Sequence, residues 1–536
     1  MSSSRTVPRR ESRSLLTISD LVVSYGDESG TGRAVDGVDL QVHRGETVAL
    51  VGESGSGKST TALAVVGLLA RGVRTSGRIE FDGDRIDNYT DRAMSRVRGA
   101  RIGFVPQDPG MALNPVQRVG AQVAEVLRIH RRADRRRAKT AVLEHLRNAG
   151  IDDPELRARQ LPHQLSGGQR QRVLIAIAMA CDPDLVIADE PTSALDVTVQ
   201  QRILDHLEQR VRESGAALLL ITHDIGVAAD RADRIAVMSG GRVVETASAV
   251  DVLTTPHHAY TRRLIGDAPG LNSRRLVGSA PDGMEDVVTV EQISRRFRVG
   301  RTGRVQAVDD VSLRVRAGET LSLVGESGSG KTTTARIIAG LEAVDSGTVM
   351  AGDRRGDIGF VYQNPYSSMN PKMTVGEIIS EPLRRHSKRD KQIRVAELLT
   401  SVGLDPTYAQ RTPAALSGGQ RQRAAIARAL ASSPRLLILD EPVSALDVTV
   451  QTQILRLLVD LQAANGTAYL FISHDLAVVR QISHRVAVMR AGRIVEESDA
   501  EDLFTRPSQD YTRSLIEAIP GDRLQHRIKE PTRVRS

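Results

Sequence analysis

Short runs of apolar residues alternate along the chain with longer stretches of helical periodicity. Three clear runs are VALVG (48–52), LVIAD (185–189) and LLLIT (218–222), and none of them alternates apolar with polar positions. Continuous apolar strands are buried on both faces, which predicts a parallel sheet covered by helices. Residues 110–160 combine helical patterning with many charges, and this predicts a separate, mostly helical lobe. The expected fold class is therefore α/β.

A set of motifs occurs twice along the chain, in the same order. The pairs are GESGSGKST (52–60) with GESGSGKTT (325–333), FVPQDP (104–109) with FVYQNP (360–365), LSGGQRQR at 165–172 and 416–423, DLVIADEPTSALD (184–196) with RLLILDEPVSALD (435–447), and LLLITHD (218–224) with YLFISHD (469–475). A solenoid would repeat every 20–50 residues or so, far less than the separation found here. The chain is therefore predicted to hold two copies of one α/β domain, each a parallel-sheet core with a helical subdomain.

The motifs also set the expected domain boundaries. The first copy is predicted over residues 12–265 and the second over 287–520. Residues 266–286 are rich in Gly, Pro, Ser and charge, which is typical of a flexible linker. Residues 1–11 and 521–536 are expected to be disordered tails.

Composition narrows the class of protein only slightly. With 40% hydrophobic and 26% charged residues, the chain is typical of a soluble globular protein, and its apolar runs are too short for a membrane helix. Its net charge of +8 fits nucleic acid, an anionic membrane or coding bias equally well. The basic run at 131–140 is expected in a helix, as a solvated face. A single cysteine, Cys181, excludes an internal disulfide and any cysteine-based metal site, and it favours a buried apolar role in a reducing compartment.

Two glycine-rich segments fit the phosphate-binding pattern G-x-x-x-x-G-K-[ST], each after a predicted strand and before a helix. Backbone N–H groups would converge on a phosphate, with Lys58 and Lys331 reaching the β- and γ-phosphates and Ser59 and Thr332 offering hydroxyls to Mg²⁺. The nucleotide-binding residues of this motif are Gly52, Glu53, Ser54, Gly55, Ser56, Gly57, Lys58, Ser59 and Thr60, and then Gly325, Glu326, Ser327, Gly328, Ser329, Gly330, Lys331, Thr332 and Thr333.

Two acidic residues end the next apolar strand in each copy. A buried carboxylate needs a cation, so Asp189 and Asp440 are predicted to hold Mg²⁺; a strand-end acid that caps a turn is the structural alternative. The following residues, Glu190 and Glu441, are placed to take a proton from an attacking water, a role that contributes roughly 10²–10⁴-fold to a rate.

A glutamine and a histidine complete each predicted site. Gln107 and Gln363 are expected to link the metal and the water to whatever docks outside. His223 and His474 follow an apolar strand at the same distance from the glutamate in both copies, which favours contact with the γ-phosphate over a purely structural role.

The repeated octapeptide LSGGQRQR contains a helix capping box, S-x-x-Q, ahead of an apolar helix. A well-formed helix start would explain that much. Two glycines in the first turn are poor helix formers, however, and they suit close approach of an anion to bare N–H groups. Since each copy has its own phosphate loop, this second anion site is expected to serve a nucleotide held by the other copy. The residues are Ser166, Gly167, Gly168 and Gln169, and Ser417, Gly418, Gly419 and Gln420.

Taken together, these motifs resemble the ATPase domains of ATP-binding cassette (ABC) transporters, over nearly the whole chain and twice. The resemblance implies ATP and Mg²⁺ as ligands and an intramolecular head-to-tail pairing, in which Lys58 faces Ser417 across one ATP and Lys331 faces Ser166 across the other. It further implies that Tyr25 and Phe297 stack on adenine and that Asp196 and Asp447 communicate between the two sites.

Finer resemblance indicates the peptide and nickel importer branch. It is carried by the segments 108–127 and 364–383 and by PHHAYTRRLI (256–265) and PSQDYTRSLI (507–516). The implied function is an ATP-hydrolysing motor for dipeptide or oligopeptide uptake, peripheral to the cytoplasmic face of a bacterial plasma (inner) membrane. The implied partners are two integral membrane permease subunits and an extracytoplasmic substrate-binding protein, with no nucleic acid. Nickel, glutathione or sugar import and a ribosome-associated twin-cassette ATPase remain as alternatives.

Overall fold

A computed structural model of the chain describes residues 14–26, 32–132, 134, 137–192, 195–268, 275–278, 283–299, 303–351, 357–366, 368–444 and 446–521. The chain divides into two compact units. The first takes in residues up to 195, residues 199–266 and the described end of the chain from Pro520, and the second takes in residues 196–198 and 267–519. Both units are α/β, as predicted. Residues 1–11 and 522–536 of the predicted tails lie outside the described residues.

The first unit contains two sheets. Its strands are β1 Ser14–Ser24, β2 Arg33–His43, β3 Thr47–Val51, β4 Arg74–Phe81, β5 Asp84–Arg85, β6 Ile102–Val105, β7 Leu185–Asp189, β8 Ala217–Thr222, β9 Arg234–Ser239 and β10 Arg242–Ser248. One sheet has the order β2-β1-β4-β5 and is antiparallel. The other has the order β10-β9-β3-β8-β7-β6, in which every neighbouring pair is parallel except the edge pair β9/β10.

The helices of the first unit cover the mainly parallel sheet and build the helical lobe. They are α1 Lys58–Val65, α2 Asp91–Met94, α3 Pro109–Ala112, α4 Val119–Ile129, α5 Arg137–Asn148, α6 Pro154–Arg157, α7 Gly167–Met179, α8 Val197–Ser214, α9 Ile225–Arg231, α10 Ala249–Thr254 and α11 Ala259–Asp267. The predicted lobe at 110–160 is confirmed by α3 to α6. Strands β3, β7 and β8 are almost completely buried, because helices pack on one face and the antiparallel sheet on the other.

The second unit repeats this architecture. Its strands are β11 Asp286–Val299, β12 Gly303–Arg316, β13 Thr320–Val324, β14 Ser346–Ala351, β15 Ile358–Val361, β16 Leu436–Asp440, β17 Ala468–Ile472, β18 Arg485–Arg490 and β19 Arg493–Asp499. The sheet orders are β12-β11-β14 and β15-β16-β17-β13-β18-β19. The helices are α12 Lys331–Ile338, α13 Val375–Ser380, α14 Lys388–Ser401, α15 Gly418–Leu430, α16 Val448–Asn465, α17 Leu476–Ile482, α18 Ala500–Thr505 and α19 Asp510–Glu517.

Three predictions that do not concern the nucleotide motifs can be compared with the structure: the helix at 131–140, the burial of Cys181 and the lack of a membrane helix. The prediction of a helix through 131–140 is wrong at its start, because α4 ends at Ile129, Arg131 has a positive φ of 54° and α5 begins only at Arg137. The described arginines of this run are exposed, as expected. Cys181 is buried, and burial raises the pKa of its thiol. Among the residues that the structure describes, no helix has the length and apolarity needed to cross a membrane.

Part of the predicted linker packs on the second unit. The backbone N–H of Leu276 donates to the carbonyl of Gln481 over 2.8 Å, and an Arg275 guanidinium nitrogen donates to the carbonyl of Ser483 over 2.8 Å. Residues 269–274 and 279–282 of the linker lie outside the described part of the chain. The boundaries 12–265 and 287–520 remain predictions.

Candidate functional site

The two glycine-rich segments form matching loops between a buried strand and the first turn of a helix. The first loop joins β3 to α1, which begins at Lys58, and the second joins β13 to α12, which begins at Lys331. Gly57 and Gly330, directly before the lysines, have φ values of 101° and 106°. A Cβ at these positions would stand 2.4 and 2.3 Å from backbone oxygens. The tight turn that delivers each lysine to the helix start therefore requires glycine.

Both loop lysines are buried and make the same contacts. Nζ of Lys58 donates to the carbonyls of Gly52 and Glu53 over 2.7 and 2.8 Å. Nζ of Lys331 does the same with Gly325 and Glu326, at the same distances. Burial lowers the pKa of Lys331, against the opposing charges of nearby carboxylates that include Glu441. Each ammonium is thus held inside its loop, where phosphate oxygens would be suitable acceptors.

Two of the three residues predicted to hold Mg²⁺ come together in each unit. The Ser59 hydroxyl donates to Oδ1 of Asp189 over 3.0 Å, and the Thr332 hydroxyl donates to Oδ1 of Asp440 over 3.0 Å. Burial raises the pKa of Asp189 to about 6 and raises that of Asp440 in the same direction. A buried carboxylate beside a hydroxyl is an oxygen donor set that suits Mg²⁺, and a cation there would favour the charged form.

Mg²⁺ would need further oxygens from outside the protein side chains. Among the described residues there is no cluster of three or more His, Cys, Asp and Glu able to hold a metal ion. This agrees with the usual habit of Mg²⁺, which is held by one or two carboxylates together with water and substrate phosphates. The residues present therefore fit a nucleotide-bound magnesium ion.

The glutamates that follow the strand-end aspartates have unusual backbone geometry. Glu190 and Glu441 have φ values of 43° and 48°, in the left-handed region that non-glycine residues seldom adopt. Each backbone N–H still bonds the neighbouring strand, with Ile221 and Ile472 as the acceptors, both over 2.9 Å. Such strain costs of order 1–3 kcal/mol and is concentrated at functional sites.

Each of these glutamates lies between the predicted glutamine and the predicted histidine. In the first unit Gln107 Nε2 donates to Oε2 of Glu190 over 2.8 Å, and His223 Nδ1 lies 3.2 Å from Oε1. In the second unit Gln363 donates to Glu441 over 2.6 Å, and His474 Nδ1 lies 3.0 Å from the other carboxylate oxygen. The predicted catalytic residues are thus brought together twice.

The glutamate and histidine of each pair shift one another's pKa. Burial acts to raise the pKa of Glu190, but the hydrogen bond and charge of His223, together with Lys58 and Gln107, outweigh it, so this pKa lies below its ordinary value. Burial acts to lower the pKa of His223, but Glu190 outweighs that effect and raises it. The pair Glu441 and His474 behaves in the same way. The contact in each pair therefore acts to lower the pKa of the carboxyl group and to raise that of the imidazole.

The capping boxes predicted in the octapeptides are both present. Oγ of Ser166 accepts from the N–H of Gln169 over 3.2 Å, and Oε1 of Gln169 accepts from the N–H of Ser166 over 3.1 Å. Ser417 and Gln420 form the same pair, at 3.3 and 3.0 Å. Ser166 and Ser417 are exposed, at the starts of α7 and α15.

The two octapeptide glycines have different surroundings. A Cβ on Gly168 would stand 2.8 Å from Cγ1 of Val199, and one on Gly419 would stand 2.6 Å from Cγ1 of Val450. A Cβ on Gly418 would meet Leu446 only at an ordinary 3.6 Å. Packing thus accounts for the second glycine of each octapeptide, which weakens the argument that both glycines admit an anion. Only the first glycine keeps that interpretation, most clearly Gly418, because a Cβ on Gly167 would stand 3.3 Å from Cδ2 of Leu195, which is a tight contact.

The contacts of the four remaining residues that were predicted to bind the nucleotide do not by themselves indicate a role. Tyr25 is 43% exposed, and the guanidinium of Arg295 lies 5.1 Å from the ring centroid of Phe297. Asp196 accepts from the Thr198 hydroxyl over 2.8 Å, and Asp447 caps α16 by accepting from the N–H of Val450 over 3.0 Å. Adenine stacking and communication between sites remain predictions for these residues.

Sequence reasoning gave no role to two tyrosines that touch the phosphate loops. The Tyr260 hydroxyl accepts a hydrogen bond from the backbone N–H of Glu53 over 3.0 Å, and the Tyr511 hydroxyl accepts one from Glu326 over 3.2 Å. Both tyrosines belong to the repeated A/D-Y-T-R stretch, and their matching positions in the two copies are the signal that could have identified them.

Two family models match the chain, and each of them matches twice. The family model for the ABC transporter matches residues 35–193 and 308–444. A second model, the C-terminal region of oligopeptide/dipeptide transporters, matches residues 244–294 and 495–533. The resemblance drawn from the motifs is confirmed by these matches.

Curated relatives match the chain over almost its whole length. The oligopeptide transport ATP-binding protein OppD of Mycobacterium bovis is 42% identical, over 94% of this chain and 98% of its own. The peptidoglycan transport ATP-binding protein YejF of Agrobacterium fabrum is 44% identical, over 94% and 96%. The glutathione import ATP-binding protein GsiA of Pectobacterium atrosepticum is 43% identical, over 94% and 89%.

Among solved structures, the archaeal ribosome recycling factor aABCE1, in complex with the ribosomal stalk protein aP1, matches with a TM-score of 0.62. The match covers 90% of each chain at 23% identity, and at that identity it shows the fold alone. The family matches and the relatives together establish that this chain belongs to the ABC transporter family and carries two of its ATPase domains.

Proposed function

We propose that this chain is the ATP-hydrolysing motor subunit of an importer for oligopeptides or dipeptides. The observation that carries the proposal is the oligopeptide/dipeptide transporter C-terminal region, which matches after each of the two ATPase domains. The relatives named for oligopeptide transport, peptidoglycan transport and glutathione import support the same class of cargo. The proposed location is the cytoplasmic face of a bacterial plasma membrane, where the chain is a peripheral subunit.

The site residues are proposed to divide the chemistry of ATP hydrolysis between them. Lys58 and Lys331 bind the β- and γ-phosphates, and Ser59 with Asp189 and Thr332 with Asp440 hold Mg²⁺, with Gln107 and Gln363 next to the metal. When bound, Mg²⁺ neutralises charge on the phosphate oxygens. Glu190 and Glu441 accept the proton of the attacking water, and the glutamine and histidine that contact each carboxylate hold it in a fixed orientation.

The two ATPase domains are proposed to complete each other's sites. Ser417 and Gly418 would contact the ATP held by Lys58, and Ser166 and Gly167 the ATP held by Lys331. The capped helix starts and the exposure of both serines support this role, since N–H groups at a helix start bind anions well. In a single chain this pairing is intramolecular, and a short linker gives an effective concentration in the millimolar range, by order of magnitude.

Two membrane permease subunits are proposed to dock on the helical lobes, beside the residues that follow Gln107 and Gln363. In the first unit Met111 and Val116 are 86% and 85% exposed. In the second unit a groove of about 850 Å³ is lined by residues that include Phe360, Tyr362 and Arg428. Exposed apolar side chains that follow Gln107, and a groove lined by Tyr362 beside Gln363, suit a cytoplasmic segment of a permease. An extracytoplasmic binding protein would deliver the cargo.

Uptake measurements in the native host test the proposal. Cells that carry the Glu190→Gln, Glu441→Gln chain in place of the natural one should lose uptake of labelled oligopeptides and keep uptake of nickel and sugars. Loss of nickel, sugar or glutathione uptake with unchanged peptide uptake would show that the proposed peptide cargo is wrong and would identify the cargo that is transported. Co-purification of the natural chain with ribosomes, and not with membrane subunits, would contradict a transport function.

A further inference from the structure

One peptide group in each phosphate loop connects the loop lysine to a tyrosine. The carbonyl of Gly52 accepts from Nζ of Lys58 over 2.7 Å, and the N–H of the same peptide group, on Glu53, donates to the Tyr260 hydroxyl over 3.0 Å. A trans peptide is planar, and its C=O and N–H point in opposite directions. Anchoring the N–H on the tyrosine therefore fixes the direction in which the carbonyl faces the lysine.

The second unit has the same two hydrogen bonds, from the lysine to the peptide group and from the peptide group to a tyrosine, with different residues around them. The Gly325 carbonyl accepts from Lys331 over 2.7 Å, and the N–H of Glu326 donates to the Tyr511 hydroxyl over 3.2 Å. Tyr260 is buried and Tyr511 is half-buried, with the guanidinium of Arg490 lying 4.7 Å from its ring centroid. Two occurrences within one chain argue against a chance contact.

A glutamate carboxylate binds the backbone N–H groups directly before each helix that carries one of these tyrosines. In the first unit the oxygens of Glu245, on β10, accept from the N–H groups of His257 and His258 over 2.8 and 3.0 Å, directly before α11. In the second unit Glu496, on β19, accepts from Ser508 and Gln509 over 2.7 and 3.1 Å, directly before α19. The glutamate on the strand thus holds the start of the helix in place, and the tyrosine on that helix can in turn hold the phosphate loop.

These tyrosines lie outside the segments that match the ABC transporter model. They fall within the segments that match the oligopeptide/dipeptide transporter C-terminal region, residues 244–294 and 495–533. We propose that Tyr260 and Tyr511 are positioning residues of the two ATP sites, through which the C-terminal region orients the peptide group that holds the loop lysine. This inference rests on the proposed role of the phosphate loops in binding ATP.

ATP binding and turnover by the full chain test the inference. Tyr260→Phe with Tyr511→Phe removes only the two hydroxyls, and with them the tyrosine acceptor of a half-buried N–H in each loop, which costs free energy. The dissociation constant for a fluorescent ATP analogue should rise about tenfold. The KM for ATP should rise similarly, and kcat at saturating ATP should change by less than about twofold, because Glu190 and Glu441 keep their partners.

Tyr469→Phe is the matched control. It removes another buried tyrosine hydroxyl, which donates to the Leu458 carbonyl over 2.9 Å, in the core of the second unit. This control should lower the melting temperature and leave ATP affinity unchanged. Lys58→Ala with Lys331→Ala tests the loops themselves and should weaken ATP binding strongly.

The outcomes separate the two proposals. If the lysine variant binds ATP weakly and the tyrosine variant binds it like the natural chain, the role of the tyrosines is refuted and the phosphate loops stand. A fall in kcat at unchanged KM would also refute it. If the lysine variant binds ATP normally, the proposed phosphate loops are wrong, and the inference falls with them.

Discussion

Nδ1 of His474 lies 3.0 Å from Oε1 of Glu441, and the equivalent atoms of His223 and Glu190 are 3.2 Å apart. In both pairs a glutamine amide donates to the other carboxylate oxygen. The two sites therefore have the same hydrogen-bonded arrangement around the carboxylate. Neither site shows the loss of a catalytic group, so both are expected to hydrolyse ATP.

Glu441→Gln alone should lower steady-state ATP turnover at least twofold, because one of two active sites loses its base. Adding Glu190→Gln should lower turnover by roughly 10²–10⁴-fold, the usual contribution of a general base. Phosphate release measured at saturating ATP checks both values, with exposed Glu144→Gln as the control. Unchanged turnover in Glu441→Gln would mean that the second site is inactive in the natural chain.

Gly418→Ala should affect ATP hydrolysis, whereas Gly419→Ala should affect folding stability. A Cβ at position 418 meets its neighbour at an ordinary distance, so stability should be unchanged or slightly higher, while ATP hydrolysis should fall if an anion approaches this helix start. A Cβ at position 419 would press on Val450, so Gly419→Ala should lower the free energy of unfolding by about 1–3 kcal/mol.

Urea denaturation and ATPase assays on the same preparations separate these two effects. Full activity in Gly418→Ala would leave only the structural explanation of the octapeptide, as a helix start.

The sequence predicts the local structure of these sites better than their surroundings. The phosphate loops, strand-end acids and capping boxes are local patterns whose geometry follows from a few adjacent residues, and all of them are present. The two antiparallel sheets, one around β1 and the other around β11, were not predicted, because each depends on a non-local pairing, of β1 with β4 and of β11 with β14. The contact of Gly168 with Val199 was missed for the same reason, since the second residue comes from a different helix.

Two further differences have different physical origins, one local and one non-local. The end of α4 at Ile129 is set by local geometry around Arg131, which the charge pattern does not reveal. The role of Tyr260 depends on a contact with a loop more than 200 residues earlier in the chain. Repetition of the tyrosine in both copies marks it as worth examining, but only the fold places its hydroxyl on the phosphate loop.

Val116→Asp should weaken association with membrane subunits and leave ATP binding unchanged. Val116 is 85% exposed on the proposed docking surface, and a charge there would be buried without a partner in the complex. Val250→Asp, at a 43% exposed position on α10, is the control. Co-purification from detergent-solubilised membranes measures the effect, and equal recovery of both variants with the membrane subunits would argue against this surface.

Ser59→Ala with Thr332→Ala should raise the Mg²⁺ concentration needed for half-maximal ATPase activity, by about tenfold. The change removes one oxygen ligand from each proposed metal site and leaves Asp189 and Asp440 in place. Activity titrated with Mg²⁺ in chelator-treated buffer measures the shift. Exposed Ser95→Ala should titrate like the natural chain, and the same curve for the double variant would exclude these hydroxyls as metal ligands.

The most direct test of reciprocal sites counts the ATP molecules trapped by chains that cannot hydrolyse them. In the Glu190→Gln, Glu441→Gln background, Lys58→Ala with Ser417→Ala damages one proposed site twice, so one ATP per chain should stay trapped. Lys58→Ala with Ser166→Ala damages both sites, so none should. The reverse result, with ATP retained only when Lys58 and Ser166 are changed together, would show that each domain uses its own octapeptide and would contradict the account.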